Sequence, residues 1–507
     1  MPDDPLQSLF CLAPIVNLVI AGLVLLVGEA RSERFAPRGW MSGFSLFAIA
    51  LSFAETLLIG SRLAGGSLDV FSSTGSVDSL SLFLSAAVLL LAAVVALVSR
   101  ESLTRRAAER GEYWALFSFA TAGALVMVAT SHLFTLVLGL EVMSLSLYAL
   151  AGYFRTESRS VEASLKYFLV GSFASGFLLF GLALILAGSG SLDLRAVADA
   201  FVSPRPGGGN ALLFLGSGLL LVGFFFKTAA VPFHMWAPDV YEGAPSPVTV
   251  LMATSVKVAA VGAFLRVLTV GLSPGGAAFG GVLFAVAVAT MVGGNLLALA
   301  QSRLKRLLAY SSVAHVGYLL VGFAATGAGS ATAPAAVLYA LVAYAVASAG
   351  AFSVVSFLEE ARGSALSIHD LHGLVRRYPL LAAALAIFVL SLAGMPPLFG
   401  FLGKFYVFGA ALETGVNSGK GDLVTLAVVG IATSLAGLGY YLRILVAAFM
   451  KEPDGSASDF RRFRGGFAAA VAASAFFTVW FGLGPALPFF GVSDLWDAAV
   501  GAIAALR

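Results

Sequence analysis

Long apolar runs separated by short polar segments recur along the whole chain. A helix that crosses a bilayer needs roughly 17 to 25 mostly apolar residues, and about fourteen segments meet that requirement. The predicted spans are approximately 10–28, 41–61, 79–98, 113–130, 132–154, 161–188, 211–237, 247–270, 277–299, 306–325, 334–358, 379–414, 423–449 and 466–488. The pattern predicts an all-α polytopic membrane protein.

Two of the predicted spans are interrupted by proline. The seventh breaks at Val231–Pro232 and the twelfth at Met395–Pro397, and a lysine, Lys227 or Lys404, lies close to each break. Proline removes a main-chain donor, and broken helices are tolerated at membrane depth only where protein or water satisfies the freed groups. We therefore expect each break to supply polar groups to its lysine.

The spacing of the breaks predicts an internal repeat. They lie five spans apart, and an odd offset inverts the second unit relative to the first, as in transporters built from inverted repeats. We expect an N-terminal three-helix segment at 1–112, a first repeat of helices four to eight at 113–270, and an inverted repeat of helices nine to thirteen at 271–450. A C-terminal helix and tail would follow at 451–507.

Positive charges in the loops predict the orientation. Loops after odd-numbered spans hold Arg31, Arg34, Arg38, Arg100, Arg105, Arg106, Arg110, Arg155, Arg159, Arg303, Lys305, Arg306, Arg362, Arg376, Arg377, Lys451, Arg461, Arg462 and Arg464. Loops after even-numbered spans hold only Arg62, Arg195, Arg205, Arg266 and Lys420. Since Lys and Arg accumulate in cytoplasmic loops, the odd connections are expected in the cytoplasm and both termini outside it.

Composition narrows the chemistry that the chain can perform. Of its 507 residues, 59% are hydrophobic and 11% are charged, so the membrane domain leaves no room for a large soluble domain. The single cysteine, Cys11, excludes both a disulfide framework and cysteine-ligated iron–sulfur clusters. The net charge of +3 reflects membrane topology and gives no indication of nucleic-acid binding.

Four of the seven lysines, namely Lys166, Lys227, Lys257 and Lys404, lie inside predicted spans. A lysine at the centre of a membrane helix costs about 2.5 to 3.5 kcal/mol, so four of them favour a function. Arginine stays charged, whereas a desolvated lysine can take up and release a proton. The residue type therefore indicates proton transfer. The alternative for Lys166 is that its side chain extends to the cytoplasmic surface.

Glu141 and His315 are the other candidates within the spans. Glu141 is interpreted as the one carboxylate deep inside a span, and a moving contact between it and a lysine would switch the proton affinity of that lysine. A static structural partner is the alternative for Glu141. His315 is either a proton relay or a hydrogen-bonded core histidine.

Several of these residues lie in stretches that resemble a known family. The stretches are LGLEVMSLSLYALAGY, EASLKYFLVGSFASG, FKTAAVPFHMWAPDVYEGAPSPVT, SVKVAAVGAFLR, SRLKRLLAYSSVAHVGYLLVG and SLAGMPPLFGFLGKFYVF. They resemble, in the same order, the antiporter-like membrane subunits of proton-pumping NADH-quinone oxidoreductase (respiratory complex I), and subunit N in particular. The resemblance reaches from about residue 110 to 445.

The resemblance implies a fourteen-helix translocase subunit with broken helices seven and twelve, driven by quinone reduction in partner subunits. It implies a proton relay made of Glu141, Lys166, Lys227, Lys257, His315 and Lys404. This chain would bind no cofactor, and partner subunits would carry FMN, iron–sulfur clusters and the quinone site. The expected partners are other membrane subunits, especially antiporter-like subunit M and small helical subunits, together with lipid and no nucleic acid.

The expected location is the bacterial inner (cytoplasmic) membrane, with many passes through it. One alternative stays open, because two other classes of complex contain a similar fourteen-helix module. In that case the chain would be a subunit of a multisubunit cation/proton antiporter or of a membrane-bound hydrogenase.

Overall fold

The structure is a computed structural model that describes residues 5–32, 39–63, 68–70, 75–203, 208–453, 463–483, 493–504 and 506. Five of the arginines assigned above to loops lie outside the described residues: Arg34, Arg38, Arg205, Arg461 and Arg462.

Helices make up nearly all of the described chain. The first half contains α1 (Pro5–Arg31), α2 (Gly39–Leu63), α3 (Ser79–Arg105), α4 (Gly111–Val128), α5 (Leu133–Ala151), α6 (Ser158–Ser189), α7 (Leu194–Val202), α8 (Gly209–Thr228), α9 (Trp236–Gly243), α10 (Ser246–Ala253) and α11 (Ser255–Arg266). The second half contains α12 (Gly276–Leu299), α13 (Leu304–Gly327), α14 (Ala333–Arg362), α15 (Leu374–Arg377), α16 (Pro379–Ala393), α17 (Phe399–Ser418), α18 (Gly421–Met450), α19 (Gly466–Leu483) and α20 (Ser493–Ala504). A π-helix (Val267–Gly271), a 3₁₀ helix (Ile368–Leu371) and a short antiparallel hairpin of β1 (Leu68–Val70) and β2 (Gly75–Val77) complete the described elements.

Thirteen segments of the described residues are long and apolar enough to cross a membrane. They correspond to thirteen of the predicted spans. The twelfth predicted span, 379–414, is divided between α16, which has 15 residues, and α17. The chain is therefore a multi-pass integral membrane protein, and the all-α prediction is confirmed apart from the small hairpin.

The helical path is interrupted at three places within the membrane region. Helix α8 ends at Thr228, and Ala229 takes a left-handed φ of 64° before α9 begins at Trp236. Helix α16 ends before Gly394, whose φ is 87°. The third interruption separates α10 from α11 at Thr254, with φ −121° and ψ −92°. No proline neighbours Thr254, so proline alone could not indicate this break.

Helices α6 and α8 pack through glycine. A Cβ atom on Gly181 would lie 2.8 Å from the carbonyl oxygen of Gly216, and one on Gly216 would lie 2.7 Å from that of Gly181. A Cβ on Gly188 would similarly lie 2.7 Å from the carbonyl oxygen of Gly209. Small residues let membrane helices approach closely enough for main-chain contact. Helix α8, whose last turn carries Lys227, is thereby held against α6 along its first half.

The most enclosed spans lie at the centre of the molecule. The span formed by α10, α11 and the π-helix is 100% buried in its most apolar window, and α13 and α14 are each 94% buried. By contrast, α6 and α18 are 33% buried in the corresponding windows. Charged side chains on the central helices are therefore shielded from lipid by protein.

Arg266 does not lie in a loop, so its assignment above is wrong. It is the last residue of α11, only 2% of it is exposed, and the helical path continues beyond it as the π-helix. Its guanidinium forms two hydrogen bonds to the carboxylate of Asp78, at 2.6 and 2.7 Å. Asp78 also caps α3 by accepting a hydrogen bond from the main-chain N–H of Ser81 at 2.8 Å. This buried ion pair ties α11 to the start of α3.

Candidate functional site

Lys227 is enclosed by hydroxyl groups at the end of α8. It is 5% exposed, and its Nζ donates to Ser144 Oγ at 2.7 Å and to Tyr167 OH at 3.2 Å. Ser144 lies one helical turn after Glu141 on α5, so the carboxylate faces the same region. Glu141 accepts a hydrogen bond from Ser175 Oγ at 2.5 Å. The ion pairs found among the described residues do not include Glu141 with Lys227, and each of the two residues binds a different serine.

The break after α8 does not supply the acceptors of Lys227, contrary to the prediction. The freed carbonyl of Phe226 accepts a hydrogen bond from the indole Nε1 of Trp236 at 3.0 Å. The carbonyl of Phe225 accepts one from the main-chain N–H of Ala230 at 2.8 Å. These groups are satisfied within the break itself, and the hydroxyls that bind the ammonium come from α5 and α6.

Lys404, on α17, does use the main-chain groups at its break. Its Nζ donates to the carbonyl oxygens of Leu392 at 2.8 Å and Ala393 at 3.0 Å, and to Ser434 Oγ at 2.8 Å. The two carbonyls belong to the last turn of α16, where helical partners are missing. The interruption therefore gives this ammonium acceptors in the interior.

Lys257 lies on the fully enclosed α11 and is 4% exposed. Its Nζ donates to Ser312 Oγ and lies 3.4 Å from the Ser312 carbonyl oxygen. The hydroxyl of Tyr344 donates to the same Ser312 Oγ at 2.7 Å, and its ring centroid is 5.3 Å from the ammonium. A hydroxyl and an aromatic face, rather than a carboxylate, thus stabilise the charged form.

His315 lies between Lys257 and Lys404. Its ring centroid is 5.0 Å from that of Tyr344 and 5.4 Å from that of Tyr318. The ammonium of Lys404 is 4.9 Å from the centroid of Tyr318, so one tyrosine touches both residues. His315 Nε2 also lies 3.4 Å from Tyr441 OH. The histidine is therefore placed where a relay between the two lysines would need it.

Aromatic residues extend from Lys227 towards the other two lysines. Tyr167 stacks on Trp236 with centroids 4.6 Å apart, and Trp236 and Tyr241 meet edge to face at 6.2 Å. The hydroxyl of Tyr241 donates to the carbonyl oxygen of Met252 at 3.3 Å. We call the four titratable residues of this region the lysine row: Lys227, Lys257, His315 and Lys404.

Lys166 is not part of the lysine row, and its expected burial is wrong. Its side chain is 45% exposed, and its Nζ pairs with Glu162 at 2.7 Å and Asp239 at 2.9 Å. Asp239 also pairs with Arg306, at 2.5 Å. Partial burial opposes ionisation of Asp239, but hydrogen bonds from Lys166 and Arg306 outweigh it and hold the pKa of that carboxyl below its ordinary value. This position agrees with the alternative given above, in which the Lys166 side chain extends to the surface.

Sequence reasoning missed several carboxylates within helices. Glu141 is not the one carboxylate inside a span, because Glu55 lies within α2 and has one buried oxygen without a hydrogen-bond partner. Glu359 and Glu360 lie within α14, and each is 7% exposed. Both directly follow the predicted span 334–358, so hydropathy places them at a loop. Only the packing around the end of α14 shows that they are covered.

Lys305, assigned above to a loop, is the second residue of α13 and is buried. Its Nζ lies 3.2 Å from Glu359 Oε2 and donates to the carbonyl oxygen of Ala244 at 3.1 Å. A neighbouring pair joins Arg106 Nε to Glu360 Oε1 at 2.6 Å. Among the described residues, no group of three or more His, Cys, Asp and Glu side chains is placed to hold a metal ion.

Residues 130–432 match the family described as NADH:quinone oxidoreductase/Mrp antiporter, TM. The chain is 40% identical over 495 residues to NADH-quinone oxidoreductase subunit N 1 of Sorangium cellulosum, covering 93% of this chain and 95% of that protein. It is 38% identical to NADH-quinone oxidoreductase subunit N of Myxococcus xanthus, covering 90% and 91%.

Solved structures give the same result for the fold. A chain of respiratory complex I from Thermus thermophilus with bound aureothin is 33% identical, with a TM-score of 0.76 and coverage of 95% of this chain and 99% of that one. A chain of the Mrp complex from a Dietzia species is 24% identical, with a TM-score of 0.83 and coverage of 99% and 98%. The Mrp chain therefore shares the fold.

Proposed function

Because this chain belongs to the subunit N family of NADH-quinone oxidoreductase, we propose that it moves protons across the membrane along the lysine row. Quinone reduction in partner subunits would drive the movement, and this chain would carry out no redox step itself. FMN, iron–sulfur clusters and the quinone site belong, in this proposal, to those partners. Subunit M and small helical subunits are the proposed neighbours in the membrane.

The lysine row itself is the observation that supports this function. Each member contacts at least one hydroxyl group, from Ser144 and Tyr167 at Lys227, Ser312 at Lys257, Tyr441 at His315 and Ser434 at Lys404. A hydroxyl can donate and accept a proton at the same time. Lysine can exist in both charge states in such a site, whereas a purely structural cation would not need to be lysine. Glu141, one turn from the Ser144 that binds Lys227, would adjust the proton affinity of that lysine through its charge.

The orientation follows the charges of the loops. Both termini would lie on the periplasmic side of a bacterial inner membrane, and the arginine-rich connections would face the cytoplasm.

A second candidate function, as a subunit of a multisubunit cation/proton antiporter, is supported by the fold that this chain shares with the Mrp chain. Neighbouring genes separate the two, because iron–sulfur and flavin subunits accompany an oxidoreductase and small antiporter subunits accompany an antiporter.

The proposal is tested by Lys227→Ala in the complete complex. We expect normal assembly, because removing a buried lysine also removes its desolvation cost. Proton translocation should fall by about tenfold or more, a loss typical of removing a proton-transfer group. The measurement is the rate of pH-gradient formation per assembled complex in reconstituted vesicles. The matched control is Lys420→Ala, since Lys420 is exposed. Lower assembly with unchanged translocation per complex would contradict the proposal.

Lys166→Arg should translocate protons at close to the normal rate. Lys166 pairs with Asp239 on the surface, and arginine can make the same ion pair without ever releasing a proton. Exposed pairs contribute about 0–1 kcal/mol, so stability should change little. The same vesicle assay measures the rate. A strong loss of translocation with normal assembly would show instead that Lys166 titrates during turnover.

A further inference from the structure

A cavity of about 900 Å³ opens at the ends of α3, α10, α13 and α14. It lies on the face that carries the arginine-rich connections, which is the face predicted to be cytoplasmic. Its lining includes the basic residues Arg105, Arg106, Arg159 and Lys305. Four carboxylates also line it: Glu157, Glu242 and the consecutive, buried pair of Glu359 and Glu360. Water that enters this cavity therefore meets two buried carboxylates.

Glu359 is joined to the helices that lead inward. Its Oε2 lies 3.2 Å from Lys305 Nζ on α13 and accepts a hydrogen bond from Ser246 Oγ, at the start of α10. Lys305 also donates to Ser246 Oγ at 3.2 Å and to the Ala244 carbonyl at 3.1 Å. The ammonium therefore keeps two acceptors when the carboxylate is neutral. Glu359 can bind a proton without leaving Lys305 unsolvated.

Glu360 also binds a basic residue and a serine, but these two partners lie at the end of α3. Its Oε1 accepts from Arg106 Nε at 2.6 Å and from Ser102 Oγ at 2.9 Å. Ser102 lies in the last turn of α3 and Arg106 directly follows that helix, which carries no member of the lysine row. Glu359, by contrast, contacts both α10 and α13, through Ser246 and Lys305.

Hydroxyl groups extend from Ser246 towards the lysine row. Thr249 lies one turn further along α10 and donates to the Tyr241 carbonyl at 2.9 Å. The Tyr241 hydroxyl in turn donates to the carbonyl oxygen of Met252, further along α10, at 3.3 Å. The distance from Ser246 to Lys257 along the helices is about 16 Å at 1.5 Å per residue. Transfer over that distance needs intermediate groups, and hydroxyls together with water can supply them.

We propose that Glu359 is the residue that takes protons from the water of this cavity and passes them towards Lys257. This rests on the proton-translocating function proposed above. A hydronium ion gives its proton to the Glu359 carboxylate and becomes water. The neutral acid gives that proton to Ser246 while the Ser246 hydroxyl releases its own proton inward. After transfer through the intervening groups, Lys257 is protonated and Glu359 is again a carboxylate.

The test compares Glu359→Gln with Glu360→Gln in the complete reconstituted complex. The two residues are adjacent and equally buried, and each is bound by a basic residue and a serine. We expect Glu359→Gln to slow pH-gradient formation per complex by about tenfold, and Glu360→Gln to leave the rate close to normal. Glu359→Asp keeps a carboxylate and should recover part of the rate.

A second measurement tests which side the cavity faces. Cys11 is the single cysteine of the chain, so Cys11→Ser with Ala365→Cys leaves one thiol, at the cavity lining. A membrane-impermeant maleimide, added to either face of sealed vesicles and followed by mass spectrometry of this subunit, should label Ala365→Cys from the cytoplasmic face. Labelling only from the opposite face would overturn the assignment.

The outcomes separate this inference from the proposed function. If Glu359→Gln translocates normally while Lys227→Ala does not, the uptake assignment is wrong and the lysine row stands. If Glu360→Gln slows translocation as much as Glu359→Gln does, both carboxylates act only through the charge that they give the cavity. The assignment of proton uptake to Glu359 is then wrong. If Lys227→Ala and Lys257→Ala both translocate normally, the proposed function itself fails.

Discussion

Lys404→Arg is expected to give a fully assembled complex that translocates protons about tenfold more slowly or worse. The ammonium of Lys404 donates to the carbonyls of Leu392 and Ala393 and to Ser434 Oγ. Arginine keeps the charge and can donate to the same acceptors, so a fixed structural cation would tolerate the change. It cannot release its proton in this pH range, so a relay would not. Reconstituted vesicles should show a weak pH gradient at an equal amount of complex.

Lys166→Arg is the control for this prediction, because it makes the same substitution in a lysine that the structure places in surface ion pairs. If Lys404→Arg loses proton translocation and Lys166→Arg does not, the loss depends on the position of the lysine in the lysine row. If Lys404→Arg translocates normally, Lys404 is a fixed charge. The proton would then leave through other groups, for which Tyr440, Tyr441 and Arg443 are the candidates.

Arg266→Met should cause the largest loss of stability among the substitutions considered. It leaves the Asp78 carboxylate, 3% exposed, without its ion-pair partner. Breaking a buried pair by removing one member typically costs about 3–5 kcal/mol. We expect a lower thermal midpoint and a much lower yield of assembled complex. Native gels and thermal unfolding of the purified complex measure these quantities.

The double variant Arg266→Met with Asp78→Asn should recover most of that loss. Asparagine removes the uncompensated charge and still offers an oxygen to the main-chain N–H of Ser81 at the start of α3. Recovery would show that the unpaired charge, rather than the lost side-chain volume, destabilises Arg266→Met. A double variant as unstable as the single one would contradict the ion-pair explanation.

The sequence predicted the spans well because membrane crossing depends on the length and hydropathy of one segment at a time. Thirteen predicted spans have counterparts in the described residues, and the burial of Lys227 and Lys257 was also predicted correctly. Lys166 differs because its burial depends on which side of α6 faces the rest of the protein. Hydropathy averaged along a span carries no information about that direction.

Charges near helix ends were the hardest to predict. Arg266 and Lys305 look like loop residues because each lies beside the end of an apolar run. Their partners are distant in sequence, Asp78 by 188 positions and Glu359 by 54. The sequence alone does not show that other helices extend past these ends and exclude water. The break at Thr254 was missed because no proline lies next to it in the sequence.

The glycine contacts between α6 and α8 have a consequence for the lysine row at some distance from it. The two helices meet main chain to main chain at Gly181 and Gly216, and they also carry the two ends of the hydrogen bond between Tyr167 and Lys227. Trp236 adds a second connection, because its indole donates to the Phe226 carbonyl of α8 while its ring stacks on Tyr167 of α6. The spacing of the contact between Tyr167 and Lys227 is therefore set in part by two residues that have no side chain.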